Sequence, residues 1–204
     1  MPAPGNGARS VAGLYTVVLA AGASTRFGSA KQLVRLAGRP LLHTAVTRAA
    51  EVTGNAVIVV LGSSAAQLAP LLRHSPGSVV VNQEWREGLA SSIRAGVARL
   101  PAACSAVLLL LADQAAVTTD DLRRLAGSWR KQPQHIAAAL YGGFCGAPVI
   151  FPRSSFRALS ELRGDTGARA LLTRNPDRVV RVPMPSAAID IDTPEDLLAL
   201  ESAK

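Results

Sequence analysis

Three short, almost continuously apolar runs constrain most strongly what this chain of 204 residues can fold into. They cover residues 14–21, 56–61 and 106–112, and each has the length of a strand. A strand that is covered on both faces has this composition, because neither face meets water. None of the runs approaches the roughly 18 uninterrupted apolar residues of a membrane-spanning helix. The runs therefore predict buried strands of a mostly parallel sheet.

Helical patterns alternate with these strands along the chain. Helices are predicted over residues 40–51, 65–73, 89–100, 118–131 and 194–200, and further strands over residues 78–81, 135–140, 147–151 and 178–182. Thr118 or Thr119 is the expected N-cap of the fourth helix. The alternation predicts an α/β fold with helices on both faces of the sheet. No Pro- or Ser-rich linker divides the chain, so we expect one domain over residues 14–204 after a disordered lead-in over residues 1–13.

Charge and cysteine content narrow the classes of function. The formal net charge is +8, but the Arg residues are spread along the whole chain and aromatic residues make up only 4%. Nucleic-acid binding is therefore disfavoured, and anionic small substrates or an Arg-rich surface explain the charge better. Cys104 and Cys145 match no metal-ligand spacing and are expected to be free thiols. The N-terminus has no secretion-signal pattern, which favours a cytoplasmic protein that does not contact membranes.

A glycine-rich segment follows the first predicted strand, where a ligand of an open α/β sheet binds. Residues 19–31 read LAAGASTRFGSAK. Small residues let the backbone approach a ligand closely, and Arg26 and Lys31 add two positive charges that suit a polyphosphate. The segment matches neither the Walker A pattern nor the dinucleotide-binding fingerprint. The alternative is an ordinary Gly-rich turn with surface cations.

Carboxylates follow two other predicted strands. Asp113 ends the buried run at 106–112, and burying an unpaired carboxylate there is costly unless a cation such as Mg²⁺ compensates it. Asp190 and Asp192 alternate along the chain and so share one face if that segment is extended. Together with Asp113, one of them would complete a two-carboxylate magnesium site. The alternatives are that Asp113 caps the following turn and that Asp192 caps the last helix.

A polar stretch follows the predicted strand at residues 78–81. It contains Asn82, Trp85, Gly88, Ser91 and Ser92 and leads into a helix N-terminus, which favours a phosphate or a polar base edge. Trp85 is either a core residue or a wall of the site.

Six motifs, in order, resemble the MobA-like nucleotidyltransferases of molybdenum cofactor biosynthesis, and most closely their cytidylyltransferase branch. The first is L-A-A-G-x-S-x-R-F-G-x-x-K-x-L over residues 19–33. The others are N-x-x-W-x-x-G followed by the two serines (82–92), L-A-D-Q (111–114), G-x-P-V-x-F (146–151), G-D-x-G-A-R (164–169) and D-I-D-T-P-E-D-L (190–197). The resemblance covers nearly the whole chain. It implies the Rossmann-like fold of nucleotide-diphospho-sugar transferases, in one domain with one antiparallel strand.

The resemblance also implies roles for individual residues. Arg26, Lys31 and Asp113 would be catalytic, and Asp113 would hold Mg²⁺ with Asp192 or Asp190. The nucleotide-binding residues would be Leu19, Ala20, Ala21, Gly22, Ser24, Arg26, Lys31, Asn82, Gly88, Ser91 and Ser92. The acceptor-binding residues would be Gly146, Pro148, Asp165 and Arg169.

The implied reaction is attack by the phosphate of molybdenum-molybdopterin on the α-phosphorus of CTP, with release of pyrophosphate. Ala21 favours CTP, because LAAG accompanies CTP and LAGG accompanies GTP in this family. A transient contact with a recipient molybdoenzyme or its chaperone would follow from that activity. Ala147 departs from the polar or bulky residue usual in G-x-P-V and puts the acceptor in doubt. The alternatives are another small-molecule nucleotidyltransferase, including one that uses GTP, and a non-catalytic protein that carries the cofactor.

Overall fold

The computed structural model describes residues 11–23, 30–191 and residue 196 of the chain. Its strands are β1 Leu14–Ala20, β2 Arg35–Leu36, β3 Arg39–Pro40, β4 Val57–Leu61, β5 Ser78–Val81, β6 Ala106–Leu111, β7 Ile136–Tyr141, β8 Phe144–Pro152 and β9 Val179–Pro183. Its α-helices are α1 Leu41–Thr53, α2 Ala65–Leu68, α3 Leu89–Val97, α4 Thr119–Lys131, α5 Phe156–Ser160 and α6 Arg169–Arg174. No helix in these ranges is long and apolar enough to cross a membrane.

Seven strands form one central sheet in the order β5-β4-β1-β6-β8-β7-β9. β8 runs antiparallel to both of its neighbours, whereas the other described pairs of this sheet are parallel. The reversal comes from a two-residue turn, in which Gly142 and Gly143 have φ of 55° and 80°. Positive φ at both positions suits glycine and joins strands with the right twist for a hairpin. The predicted mostly parallel sheet with one antiparallel strand is confirmed.

Helices cover both faces of the sheet, as predicted. Alternate residues of β1 point to opposite sides, so Val18 packs in the core with α1 and α4, whereas Val17 packs in the core with α3 and α5. Both side chains are completely buried. Apart from Thr16, the three central parallel strands are thus apolar because each faces two hydrophobic layers, and the candidate ligand-binding groups lie in the loops at their ends.

Several boundaries differ from the sequence-based prediction. The helix predicted over residues 65–73 is α-helical only as far as Leu68 and continues as a 3₁₀ helix over Ala69–Leu72, because Pro70 lacks the N–H that an α-helix would use. The helix predicted over residues 89–100 ends at Val97. The helices α5 and α6 and the small β2–β3 hairpin were not predicted, since segments of two to six residues carry too little periodicity.

The structure also describes the predicted N-cap of α4 and the two cysteines. Thr118 is the N-cap of α4: its hydroxyl accepts from Asp121 N, and the Asp121 carboxylate accepts from Thr118 N at 3.0 Å, which forms a capping box. Cys104 is buried, Cys145 is half-buried, and both are free thiols. The described residues exclude almost all of the helix predicted over residues 194–200 and residues 1–10 of the lead-in predicted over residues 1–13. Residues 11–13 are described, and Val11 N donates to Val52 O at 3.2 Å.

Candidate active site

A cleft of about 840 Å³ lies at the carboxyl ends of β1 and β6. This is the edge where the topology of an open α/β sheet places a ligand. Its walls come from the ends of the two strands, the loop after β1, the segment before α3 and the loop after α5. They contain Leu19, Ala20, Ala21, Gly22, Ala23, Lys31, Gln32, Leu41, Trp85, Arg86, Gly88, Leu89, Ser92, Leu111, Ala112, Asp113 and Asp165.

Hydrogen bonds from two other segments hold the backbone carbonyls of residues 20–22, where the loop after β1 begins. Gln32, which is buried, donates its side-chain amide to the carbonyls of Ala20 at 3.4 Å and Gly22 at 3.3 Å. Ser63 donates its N–H to Ala21 O at 3.2 Å and its hydroxyl to Gly22 O at 3.0 Å. Because a trans peptide points its N–H opposite to its carbonyl, the N–H groups of residues 21–23 point away from these partners. This arrangement can present donors to an anion.

Lys31 and Asp113 meet at this cleft. Lys31 opens a 3₁₀ turn after the glycine-rich loop, and its ammonium donates to the Oδ2 atom of Asp113 at 2.5 Å. The two side chains are 15% and 23% exposed, so this ion pair is mostly shielded from water. The structure therefore brings together the cation predicted for phosphates and the carboxylate predicted for a metal.

The segment that carries Asp190 is tied to the same strand end. Ile191 is fully buried, and its N–H donates to the carbonyl of Asp113 at 3.2 Å. Gln114 donates its side-chain amide to Ala147 O at 2.9 Å and to Ala187 O at 3.0 Å, and so joins β8 and the turn before Asp190 to the end of β6. Asp190 therefore directly precedes a residue whose backbone is hydrogen-bonded to Asp113.

The donor set suits a hard divalent cation that is completed by ligand oxygens. Across residues 11–23, 30–191 and 196, no three His, Cys, Asp or Glu side chains form a group that could hold a metal alone. Mg²⁺ is held in many proteins by one or two carboxylates plus substrate phosphates, which fits Asp113 and a neighbouring aspartate. Asp192, Ser24 and Arg26 lie outside the described residues, so their predicted roles stay predictions.

The polar stretch after β5 divides into cleft residues and supporting residues. Gly88 and Ser92 line the cleft. Asn82 is buried behind them, donating to the hydroxyls of Ser91 at 2.8 Å and Ser92 at 3.1 Å and accepting from Glu84 N at 2.9 Å. Asn82 and Ser91 therefore stand where they shape the N-terminus of α3, and their predicted contact with nucleotide stays a prediction.

Trp85 serves both of the roles that its sequence position left open. It is half-buried, packs against the core beside α3 and also lines the cleft. The Arg86 guanidinium lies 4.4 Å from the centre of the Trp85 ring and adds an exposed cation to the same wall. Sequence reasoning missed Arg86 and Gln32 as site residues. Their only sequence signal was position, beside Trp85 and immediately after Lys31.

One of the four predicted acceptor residues lines the cleft, and the other three do not. Asp165 lines the cleft, whereas Gly146, Pro148 and Arg169 are not among its lining residues. Gly146 is buried on β8, where a Cβ atom would lie 2.4 Å from the Tyr141 hydroxyl. Arg169 stacks its guanidinium 4.1 Å above the Phe144 ring. Pro148 is also buried on β8, and the role of these residues in acceptor binding stays a prediction.

Tyr141 on β7 packs beside Gly146. Burial raises the pKa of its hydroxyl, the negative charge of Asp190 raises it further, and the positive charge of Arg169 lowers it. The Tyr141 ring also meets Phe144 edge to face, with centroids 4.9 Å apart. Asp190 of the candidate metal segment and Arg169 of the candidate acceptor segment therefore both lie within electrostatic range of one phenol.

Comparison with known proteins identifies the family. A family model described as the MobA-like NTP transferase domain matches residues 16–179. The nicotine blue oxidoreductase of Paenarthrobacter nicotinovorans is 31% identical over 90% of this chain and 94% of its own length. The purine catabolism protein PucB of Bacillus subtilis is 30% identical over 90% and 93%.

The matches to more distant relatives also extend over most of both chains. The molybdenum cofactor cytidylyltransferase of Escherichia coli is 22% identical over 89% of this chain and 92% of its own. The crystal structure of Rv0371c from Mycobacterium tuberculosis H37Rv, solved as a manganese complex, has a TM-score of 0.78 and 27% identity and covers 94% of this chain and 99% of that one. With a family match over most of its length and a mostly parallel sheet that carries the cleft, the chain belongs to the MobA-like NTP transferases and is a nucleotidyltransferase.

Proposed function

We propose that the protein transfers CMP from CTP to the phosphate of a molybdenum-molybdopterin acceptor, with release of pyrophosphate and dependence on Mg²⁺. The observation that carries the proposal is the shielded contact between Lys31 and Asp113 in the cleft. A nucleotidyl transfer needs a cation on the departing pyrophosphate and a metal-binding carboxylate within reach of the same phosphates. One ion pair supplies both groups.

In the proposed mechanism the residues chiefly position the two substrates and neutralise the charge of the triphosphate. The loop after β1 presents peptide N–H groups to the triphosphate, and Lys31 exchanges Asp113 for phosphate oxygens. Asp113, with Asp190 or Asp192, would hold the magnesium ion, which neutralises charge on the phosphates when it is bound. The acceptor oxygen forms a bond to the α-phosphorus as the bond to pyrophosphate breaks, so reactants held in line need no covalent intermediate.

The choice of CTP is proposed from Ala21 and that of the acceptor from the motifs over residues 146–169. The relative named molybdenum cofactor cytidylyltransferase is consistent with both choices. The rival acceptors are sugar or alcohol phosphates, which would use the same triphosphate site. The rival without catalysis is a protein that only carries the cofactor.

A nucleotide panel followed by an acceptor screen tests the proposal. Thermal shift is measured with Mg²⁺ and each of CTP, GTP, ATP and UTP, and we expect the largest stabilisation with CTP. Pyrophosphate release is then measured with CTP and molybdenum cofactor, against sugar phosphates as competing acceptors. Preference for GTP would contradict the base assignment, and turnover only with a sugar phosphate would contradict the acceptor.

Redox chemistry is a second candidate, because the relative at 31% identity is named an oxidoreductase. Oxidation of NADH or NADPH by the protein with a quinoid dye would support it. We expect no such consumption, since the chain lacks the dinucleotide-binding fingerprint and the cleft pairs a lysine with a metal-type carboxylate.

A further inference from the structure

Two loops from distant parts of the chain meet beside the cleft. One precedes α3 and ends at Gly88, and the other follows α5 and contains Gly164 and Asp165. They approach so closely that a Cβ atom at Gly88 would lie 2.2 Å from the Asp165 carboxylate and 2.7 Å from the Gly164 carbonyl. Gly88 also has φ of 116°, which favours glycine. Both Gly88 and Asp165 line the cleft.

A bidentate ion pair outside the cleft lining joins these loops. The Arg94 guanidinium, on α3, donates to both carboxylate oxygens of Glu87, at 2.7 and 2.6 Å. The same guanidinium donates to Leu162 O at 2.9 Å, and Glu87 accepts from Gly164 N at 3.2 Å. Arg94 and Glu87 thus hold the loop after α5 at two backbone points, one bonded to each side chain, and lysine cannot reproduce the bidentate pairing of Arg94 with Glu87.

The contacts of the pair indicate a role beyond global stability. The Arg94 and Glu87 side chains are 19% and 34% exposed, so the ion pair is partly shielded from water. The bonds to Leu162 and Gly164 are made to backbone atoms and end one residue before Asp165. Ala90 N adds a third link by donating to Gly164 O at 3.1 Å.

We infer that Glu87 and Arg94 are positioning residues, which fix the loop of Gly164 and Asp165 against the N-terminus of α3 and so set the placement of the acceptor relative to the nucleotide. The inference rests on the proposed function in taking Asp165 as an acceptor-side residue. It assigns neither residue a contact with substrate.

Hydrogen exchange tests the positioning without any substrate. Exchange of the peptide covering residues 162–168 is measured by mass spectrometry in the wild type and in the Arg94→Ala, Arg94→Lys and Glu87→Gln variants. Arg157→Ala is the matched control, because Arg157 forms an exposed ion pair in the same region with Glu161, which lies outside the measured peptide of residues 162–168. We expect faster exchange in Arg94→Ala and Arg94→Lys, a smaller increase in Glu87→Gln, and none in Arg157→Ala. Unchanged exchange in both Arg94 variants would overturn the inference.

Kinetics separate positioning from a general loss of structure. For Arg94→Lys we expect the KM for molybdenum cofactor to rise about tenfold or more while the affinity for CTP, measured by calorimetry with Mg²⁺, stays within about twofold. Equal weakening of CTP and acceptor would overturn the inference. If the wild type shows no turnover with this pair of substrates, the proposed function fails, and the exchange measurement alone decides whether the ion pair holds the loop.

Discussion

The Lys31 ammonium lies 2.5 Å from the Asp113 carboxylate, although 82 positions separate the two residues in the chain. The contact links the loop after β1 to the end of β6, two neighbouring parallel strands of the sheet. Each residue compensates the charge of the other. Substrate and metal would therefore have to replace an existing contact, and variants of each residue separate the two replacements.

Replacing Asp113 by Asn should abolish most of the metal-dependent activity. Asparagine keeps the shape but removes the charge that would hold the cation, so we expect kcat/KM for pyrophosphate release to fall about 10²- to 10³-fold. Nucleotide binding without metal should be retained or strengthened, because Lys31 loses its competing partner. Asp120→Asn, an exposed carboxylate on α4, is the control. Normal turnover by Asp113→Asn would show that the metal assignment is wrong.

Replacing Lys31 by Met should act mainly on nucleotide binding. The change removes one charged contact to phosphate, and we expect CTP affinity in the presence of Mg²⁺ to fall about 10- to 100-fold. Arg at the same position should recover part of the affinity, since the charge is kept but the geometry differs. Calorimetry with CTP measures both variants. Equal affinity in wild type and Lys31→Met would remove this residue from the phosphate site.

The proposed preference for CTP rests on the methyl group of Ala21. Ala21 is 6% exposed and lines the cleft. It lies beside Gly62 and belongs to the core cluster against which Trp85 packs. If Ala21 selects cytosine, Ala21→Gly should lower the preference for CTP over GTP by about tenfold, the discrimination typical of one methyl-sized contact. Competition between the two nucleotides in the pyrophosphate assay gives the ratio. An unchanged ratio would mean that other residues choose the base.

Gly62 should be intolerant of any side chain. A Cβ atom there would lie 2.5 Å from Ala21 O and 2.8 Å from Trp85 Cβ, so the loop after β1 or the wall of the cleft must move. We expect Gly62→Ala to lower the free energy of unfolding by about 1–3 kcal/mol and to weaken CTP binding. Gly127→Ala on the exposed face of α4 is the matched control, since it has open space and should be neutral or stabilising by about 0.5–1 kcal/mol. Equal stability of the two variants would contradict the packing argument.

The sheet could be predicted from the sequence because the central strands have a distinctive local composition. The apolar runs that became β1, β4 and β6 are buried on both faces, and strands buried in this way are composed almost entirely of apolar residues. Asp113 was identifiable because a carboxylate at the end of such a strand is costly unless it has a partner. That partner, Lys31, was predicted as a phosphate ligand, and nothing local indicates that the two meet.

The parts that could not be predicted are contacts between distant segments. The role of Gln32 depends on where the carbonyls of residues 20 and 22 point, and the role of Arg94 depends on a loop that begins 68 positions later. α5 and α6 are too short for their periodicity to be recognised and form because they cover the sheet face beside α3. Tertiary packing, not local propensity, determines these features.

The decrease of Tm at acidic pH should depend on the ion pair between Glu87 and Arg94. Hydrogen bonds from Arg94 and Gly164 lower the pKa of this carboxyl from 4.5 to about 2. A carboxyl with a lowered pKa binds fewer protons in the folded state than in the unfolded chain, so it stabilises the fold above pH 4.5 and loses that contribution as the pH falls towards 2. Between these values the Tm of the wild type should decrease more steeply than that of Glu87→Gln, which has no proton to bind at this position. Thermal unfolding followed by circular dichroism at pH steps from 6 to 2 gives the two slopes, and parallel slopes would contradict the linkage.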